Sequence, residues 1–119
     1  MKLDFLENFP SEWQKQIREY LSGERKEFDL EIKLEGTEFQ KAVWREMLKI
    51  PYGETRTYSE IAAAINRPKA VRAVGTACGK NKFLIVVPCH RVVAKNGLGG
   101  YAFGLEIKQK LLKLEQNCK

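Results

Sequence analysis

The chain has 119 residues, 44% of them hydrophobic and 30% charged, the size and balance of one ordinary globular domain. No apolar run approaches the ~20 residues of a membrane helix and no charged-then-apolar leader opens the chain, which argues against membrane and secreted classes and leads us to expect a cytoplasmic protein. Twenty-one Lys and Arg against fifteen Asp and Glu leave a net charge of +6, a bias toward polyanionic partners.

Ser11 opens the first predicted helix, with Gln14 at capping-box spacing and Trp13, Ile17 and Leu21 at helical intervals; Gly23 ends it. Residues 27–34, EFDLEIKL, alternate apolar and charged. They predict a strand with one buried face, or an extended linker lying against something apolar. Thr37 and Gln40 form a second box, opening a helix whose apolar face carries Phe39, Val43, Met47 and Leu48 and which ends near Pro51. PYGETR is a turn. Thr57 and Glu60 form a third box ahead of the short helix YSEIAAAI. Asn66 to Pro68 turn the chain, with Pro68 suited to the first position of a helix that runs to Gly79. FLIVV reads as a buried strand, and PCHRVV follows it. A glycine-rich loop, NGLGGYAFG, leads into the last helix, LEIKQKLLKLE.

Two constellations stand out. Residues 57–79 pair two short helices across a tight turn, the shape of a helix-turn-helix, with Lys69 and Arg72 on the exposed face of the second. Plain helix packing gives the same pattern. The cluster of Arg56, Arg67, Lys69, Arg72, Lys80 and Lys82 favours phosphate binding. The second constellation is Cys89-His90. Three cysteines, Cys78, Cys89 and Cys118, are odd in number and irregularly spaced. They fit neither a disulfide framework nor a zinc knuckle, so free thiols are expected and no metal site. A buried cysteine is ordinarily inert filler. Here Pro88 forces a bend where a strand would continue, and the single histidine of the chain lies beside the thiol, where it can draw off the proton and leave a nucleophilic thiolate. Neighbours on a strand point to opposite faces; either the bend brings the two together or a water links them.

Pro88-Cys89-His90-Arg91-Val92-Val93, together with GTEFQKAVW, IPYGETRTY, RPKAVRAVG and GLGGYAFGLE, resembles the O6-alkylguanine-DNA alkyltransferases in order and spacing from about Gly36 to Glu115. The resemblance implies direct-reversal repair without a cofactor. Cys89 takes the alkyl group from O6 of guanine in double-stranded DNA, with O4-alkylthymine as a second candidate, and keeps it. His90 deprotonates the thiol through a water and is oriented by Glu115. Tyr58 protonates the departing ring and helps turn the base out. Arg72 fills the vacated stack, and Asn81 is the hinge before the active-site strand. Ser59, Arg67 and Lys69 complete the DNA-binding set. Val92, Tyr101, Ala102 and Phe103 border the pocket. A thioether has no route back to thiol, so one protein repairs one lesion.

The implied fold is an α-rich α/β domain: a winged-helix-like helix-turn-helix, a short strand pair around residues 84–94, and a C-terminal helix closing the site. Residues 37–119 form the DNA-binding and active-site domain of an expected monomer. Residues 1–36 are a helix and a strand or linker left from a larger N-terminal domain, so EFDLEIKL lacks its sheet partners and must pack elsewhere. Lys82 stands where the family often has proline. Ala102 and Phe103 replace small residues, and Phe103 is expected to narrow the pocket entrance against benzyl groups. Two rivals remain: a cysteine hydrolase, which needs an oxyanion hole and turns over, and a lesion-sensing DNA-binding protein whose cysteine is silent.

Overall fold

The computed structural model describes residues 7–83, 85–101 and 103–117. Its elements, in chain order, are α1 (Ser11–Leu21), α2 (Glu38–Leu48), β1 (Arg56–Thr57), α3 (Tyr58–Ala64), α4 (Val71–Gly79), a 3-10 turn (Cys89–Arg91), β2 (Val92–Val93) and α5 (Leu105–Asn117).

Local chemistry sets the start of α2 and α3. The Thr37 hydroxyl accepts from the Gln40 amide at 3.0 Å while the Gln40 side chain accepts from Thr37 N at 3.0 Å; Thr57 and Glu60 repeat the arrangement at 3.1 and 2.8 Å. Each box satisfies two donors that a helix start would otherwise leave unpaired. The expected box at Ser11 does not form: α1 has no side-chain cap, and the Gln14 amide donates to the Phe9 carbonyl at 2.8 Å instead. Pro68 lies in the turn before α4, which begins at Val71. On α2, Trp44 rather than Leu48 completes the buried face, and its indole donates to the Ala77 carbonyl at 3.0 Å, tying α2 to the end of α4.

Two apolar clusters form the interior. Val43, Met47, Ile61, Ala62, Val74 and Val92 hold α2, α3 and α4 together around the Cys89 turn. Ile17, Tyr20, Ile85, Val86 and Leu111 join α1 to α5. Residues 27–34 adopt no strand. Their side chains alternate between exposed and half-buried, and Phe28, Leu30 and Ile32 pack on the second cluster. Their missing sheet partner is replaced in part by the buried Gln16 of α1, whose amide both donates to and accepts from the backbone of Asp29, at 3.1 and 2.9 Å.

The strand pair differs from the expected one in its partner. Among the described residues the sheet has two strands, β1 and β2, running parallel with Arg56 opposite Val92 and Thr57 opposite Val93. Of FLIVV, the described residues Phe83 and Ile85 to Val87 lie in bends and turns, not in a strand, and Leu84 lies outside the described residues. Asn81 is the reason: its side chain takes the Phe83 N–H at 2.9 Å and the Val87 carbonyl at 2.9 Å, groups that a ladder would have used. Ile85 sits within this turn at φ +66°, which costs a β-branched residue about 1–2 kcal/mol; its complete burial against α1 and α5 offsets that cost.

Candidate active site

Pro88, at φ −81° and ψ 63°, is the centre of an inverse γ-turn closed by Cys89 N–H to the Val87 carbonyl at 2.8 Å, and the 3-10 turn follows at once. The bend decides where the two chemically active neighbours point. Cys89 faces a cavity of about 450 Å3 lined by Tyr58, Val71, Arg72, Gly75, Cys78 and Tyr101, among others. His90 turns into the protein, fully buried. Asn81 Nδ2 donates to Cys89 Sγ at 3.1 Å. Burial pushes the thiol up to about 11, against the opposing pull of the Asn81 hydrogen bond and the Lys108 charge. The resting side chain is therefore a protonated thiol, and a base is needed to make it a nucleophile.

That base is organised behind it. His90 Nε2 lies 2.7 Å from Glu115 Oε2. Burial pushes the Glu115 carboxyl up, but hydrogen bonds from His90 and Arg91 outweigh it and hold the group at about 2. An ionised carboxylate only accepts, so Nε2 carries the proton and the lone pair of the neutral ring is on Nδ1. Nδ1 is buried and meets no hydrogen-bond partner among the described residues. Burial also lowers the His90 pKa, against the opposing effect of Glu115, which keeps the ring neutral and able to accept. Glu115 is fixed from four sides: Arg91 Nε and Nη2 at 2.9 Å each, Gly53 N–H at 3.1 Å, Tyr20 hydroxyl at 2.6 Å, and His90. Arg91 Nη1 further donates to the Ile50 carbonyl at 2.8 Å. Gly53 holds φ +82°, a backbone that a side chain would strain.

On the cavity side, Tyr58 opens α3 and its hydroxyl donates to the Gly100 carbonyl at 3.3 Å. Burial raises its pKa, so it is a proton donor at neutral pH. The loop approaches so closely that a Cβ on Gly99, itself at φ +72°, would lie 2.6 Å from the Tyr58 ring. Lys108 of α5 is fully buried. Its ammonium donates to the Val92 and Gly100 carbonyls at 2.6 and 2.8 Å and lies 5.8 Å from the Tyr58 ring centroid, binding helix, strand and loop into one wall. A Cβ on Gly75 would meet nothing within 4 Å, so this face of α4 is left open.

The structure brings Cys89, His90, Glu115, Asn81, Tyr58, Arg72 and Tyr101 to one place. Ser59, Arg67, Lys69 and Arg72 are exposed along the helix-turn-helix. Val92 is buried in the first cluster beneath the site, not on the cavity wall. Phe103 departs from the expectation set by its position: its ring meets Tyr101 edge-on at 5.5 Å and packs on the second cluster, away from the cavity lining. Ala102 and Cys118 lie outside the described residues. Among the described residues no group of three His, Cys, Asp or Glu could hold a metal, and no helix is long and apolar enough to cross a membrane.

Three participants escape a reading of the sequence: Arg91, Lys108 and Tyr20. A signal existed for one. Lys108 shares its helix face with Leu111 and Glu115, at i, i+3 and i+7, so a cation occupies a buried stripe.

Residues 38–117 match the model of the 6-O-methylguanine DNA methyltransferase, DNA binding domain. A methylated-DNA–protein-cysteine methyltransferase of Methanosarcina acetivorans is 57% identical over 113 residues, covering 94% of this chain and 72% of that protein. The crystal structure of Mycobacterium tuberculosis OGT in complex with DNA superposes with a TM-score of 0.87 at 50% identity, covering 91% of this chain and 68% of that one. O6-methylguanine-DNA methyltransferase from the hyperthermophilic archaeon Pyrococcus kodakaraensis superposes with a TM-score of 0.77 at 40% identity, covering 90% of this chain and 64% of that one. The family model covers most of the chain, and relatives at this identity and coverage agree with it in sequence and in fold: the chain belongs to the O6-methylguanine-DNA methyltransferase family.

Proposed function

We propose that the protein is a single-turnover methylated-DNA–protein-cysteine methyltransferase that repairs O6-alkylguanine in duplex DNA by moving the alkyl group onto Cys89. The observation that carries this is the placement of Cys89. It is 2% exposed, at the floor of a cavity that opens beside Arg72 on α4. A stacked base cannot touch such a thiol. The nucleotide must leave the helix, at a cost of a few kcal/mol. Exposed Arg67, Lys69 and Arg72 hold the phosphates by charge, and Arg72 fills the gap in the stack.

The chemistry is one displacement. The thiol proton moves through a bridging water to Nδ1 of His90, and Glu115 steadies the imidazolium that results. Sulfur forms a bond to the alkyl carbon as the carbon–O6 bond breaks, and the electron pair stays with guanine. Tyr58 supplies the proton that neutralises the leaving ring. Asn81, bonded to the sulfur and to both ends of the turn before it, holds the nucleophile in line. The product thioether has no ionisable proton and no group here cleaves it, so the protein is consumed. Residues 37–119 carry the groups that contact DNA and react, the described part of residues 1–36 packs against them, and the protein acts as a monomer. Unpaired thiols suit a reducing compartment, and we place the protein in the cytoplasm.

Intact-mass measurement after incubation with a duplex containing O6-methylguanine tests the reading. One methyl should replace one hydrogen per molecule, and tryptic peptides should locate it on Cys89 alone. Label on Cys78 or Cys118, or continued turnover, contradicts it.

A further inference from the structure

Resting on that reading, we propose that Tyr20 of α1 is a positioning residue of the proton relay: its phenol fixes Glu115 and thereby holds His90 with its proton on Nε2 and its lone pair on Nδ1. Tyr20 is fully buried and is the largest side chain so buried among the described residues. Its hydroxyl donates to Glu115 Oε2 at 2.6 Å and stands 3.5 Å from His90 Nε2. Its ring meets His90 edge-on at 6.5 Å and Tyr52 edge-on at 6.0 Å. A phenylalanine would fill the same space, so packing alone does not call for the hydroxyl.

The consequence is electronic. Oε2 accepts from Tyr20, from His90 and from Arg91 Nη2 and Nε at 2.9 and 3.1 Å, and a carboxylate oxygen has two lone pairs for these four donors. Electron density given to the phenol is withheld from the imidazole. Tyr20 thus weakens the Glu115–His90 contact enough to keep the ring neutral, while the bond to Glu115 keeps the carboxylate aimed. The charged and titratable groups around His90 are Glu115 and Lys108 from α5, neighbouring Arg91 and Cys89, Tyr20 from α1 and Tyr101 from the loop. Glu115 stays ionised, and the two tyrosines stay neutral at working pH. The titration of His90 therefore reads the strength of its contact with Glu115. On this account α1, which lies outside residues 38–117 that match the family domain, belongs to the catalytic unit.

The chain contains one histidine, so imidazole NMR reports His90 without ambiguity. Wild-type protein should show the Nε2–H tautomer at neutral pH. Tyr20→Phe should move the His90 midpoint upward by on the order of one pH unit, and the acid limb of single-turnover methyl transfer should move with it, because a protonated ring cannot accept the thiol proton. A merely structural tyrosine would lower the melting temperature and leave both midpoints in place. An unmoved midpoint in a folded variant overturns the proposal. So does an Nδ1–H tautomer in the wild type, a result that does not depend on how the variant folds. Failure of wild-type protein to take up methyl would instead sink the transfer reading, while the NMR shift would still test the Tyr20 contact.

Discussion

The two sides of the Cys89 turn are built on opposite rules. Toward the DNA-facing surface the side chains are small or exposed: Gly75 leaves open space, Arg72 projects from α4, and the cavity is lined largely by apolar atoms and two tyrosines, Tyr58 and Tyr101. Behind the turn, His90, Arg91, Glu115 and Tyr20 are all buried and bonded to one another. The open side makes room for a substrate and holds it by charge, so single contacts there are weak and replaceable. The closed side stores ionised groups in a dry interior, where each is tolerable only because its partner is present. Changes on the first side should alter rate or substrate preference; changes on the second should alter both stability and proton transfer.

The largest effect should come from the atom both sides share. Cys89→Ala should abolish methyl uptake, measured by intact mass, while leaving affinity for duplex DNA within about twofold in a gel-shift titration, since phosphate contacts dominate binding. Next, Arg91→Met removes one half of a buried pair and should cost about 3–5 kcal/mol of stability by urea unfolding. Arg72→Met on the open face should stay within about 0.5 kcal/mol. Similar losses for the two would erase the contrast between the sides.

Acid should act most strongly on the closed side, and the sign follows from two depressed values. The folded protein refuses the proton that the unfolded chain takes on His90 below about pH 6.5, because burial holds the native histidine lower. Glu115, at about 2 when folded, adds a second loss as pH falls below about 4.5 toward 2. Stability should therefore be fully present above neutral pH and decline in two stages, on the order of 3 kcal/mol for the carboxylate stage. Glu115→Gln should remove that second stage from a series of urea midpoints.

A smaller effect is expected at Arg72. Arg72→Ala should slow repair in duplex DNA by about tenfold, equivalent to about 1.4 kcal/mol, and leave the reaction with free O6-benzylguanine nearly unchanged, since only the duplex demands extrusion. Equal slowing on both substrates would make Arg72 a structural residue rather than one that serves extrusion. The smallest effect concerns Phe103. Because its ring packs on Tyr101 and the second cluster, Phe103→Gly should change the rate of Cys89 labelling by O6-benzylguanine less than about twofold. Its main cost should be packing stability, about 1–3 kcal/mol for a partly buried ring. A severalfold faster reaction in the glycine variant would return the ring to the cavity wall.

What the sequence determined by itself is local or chemical. The boxes at Thr37 and Thr57 form within three residues of their partners, so residue type and spacing suffice to start two helices. Pro88 dictates a bend wherever it stands in a run of β-branched residues, and a thiol beside the only imidazole names the chemistry. The alternation in residues 27–34 was legible as an apolar face, though it could not tell a strand from a strap, because that depends on whether a neighbour offers backbone or, as here, the amide of Gln16. Tertiary structure decided the rest. FLIVV has strand composition, yet Asn81 captures the Phe83 N–H and the Val87 carbonyl, and Ile85 and Val86 turn. Phe103 could fill the pocket or leave it, and Tyr101 together with the α1–α5 core drew it out. Tyr20 reaches a carboxylate 95 residues away, and Arg91 one 24 residues away. No spacing rule encodes those bonds; they form because folding removes water from these polar atoms and each must then find a partner within the protein.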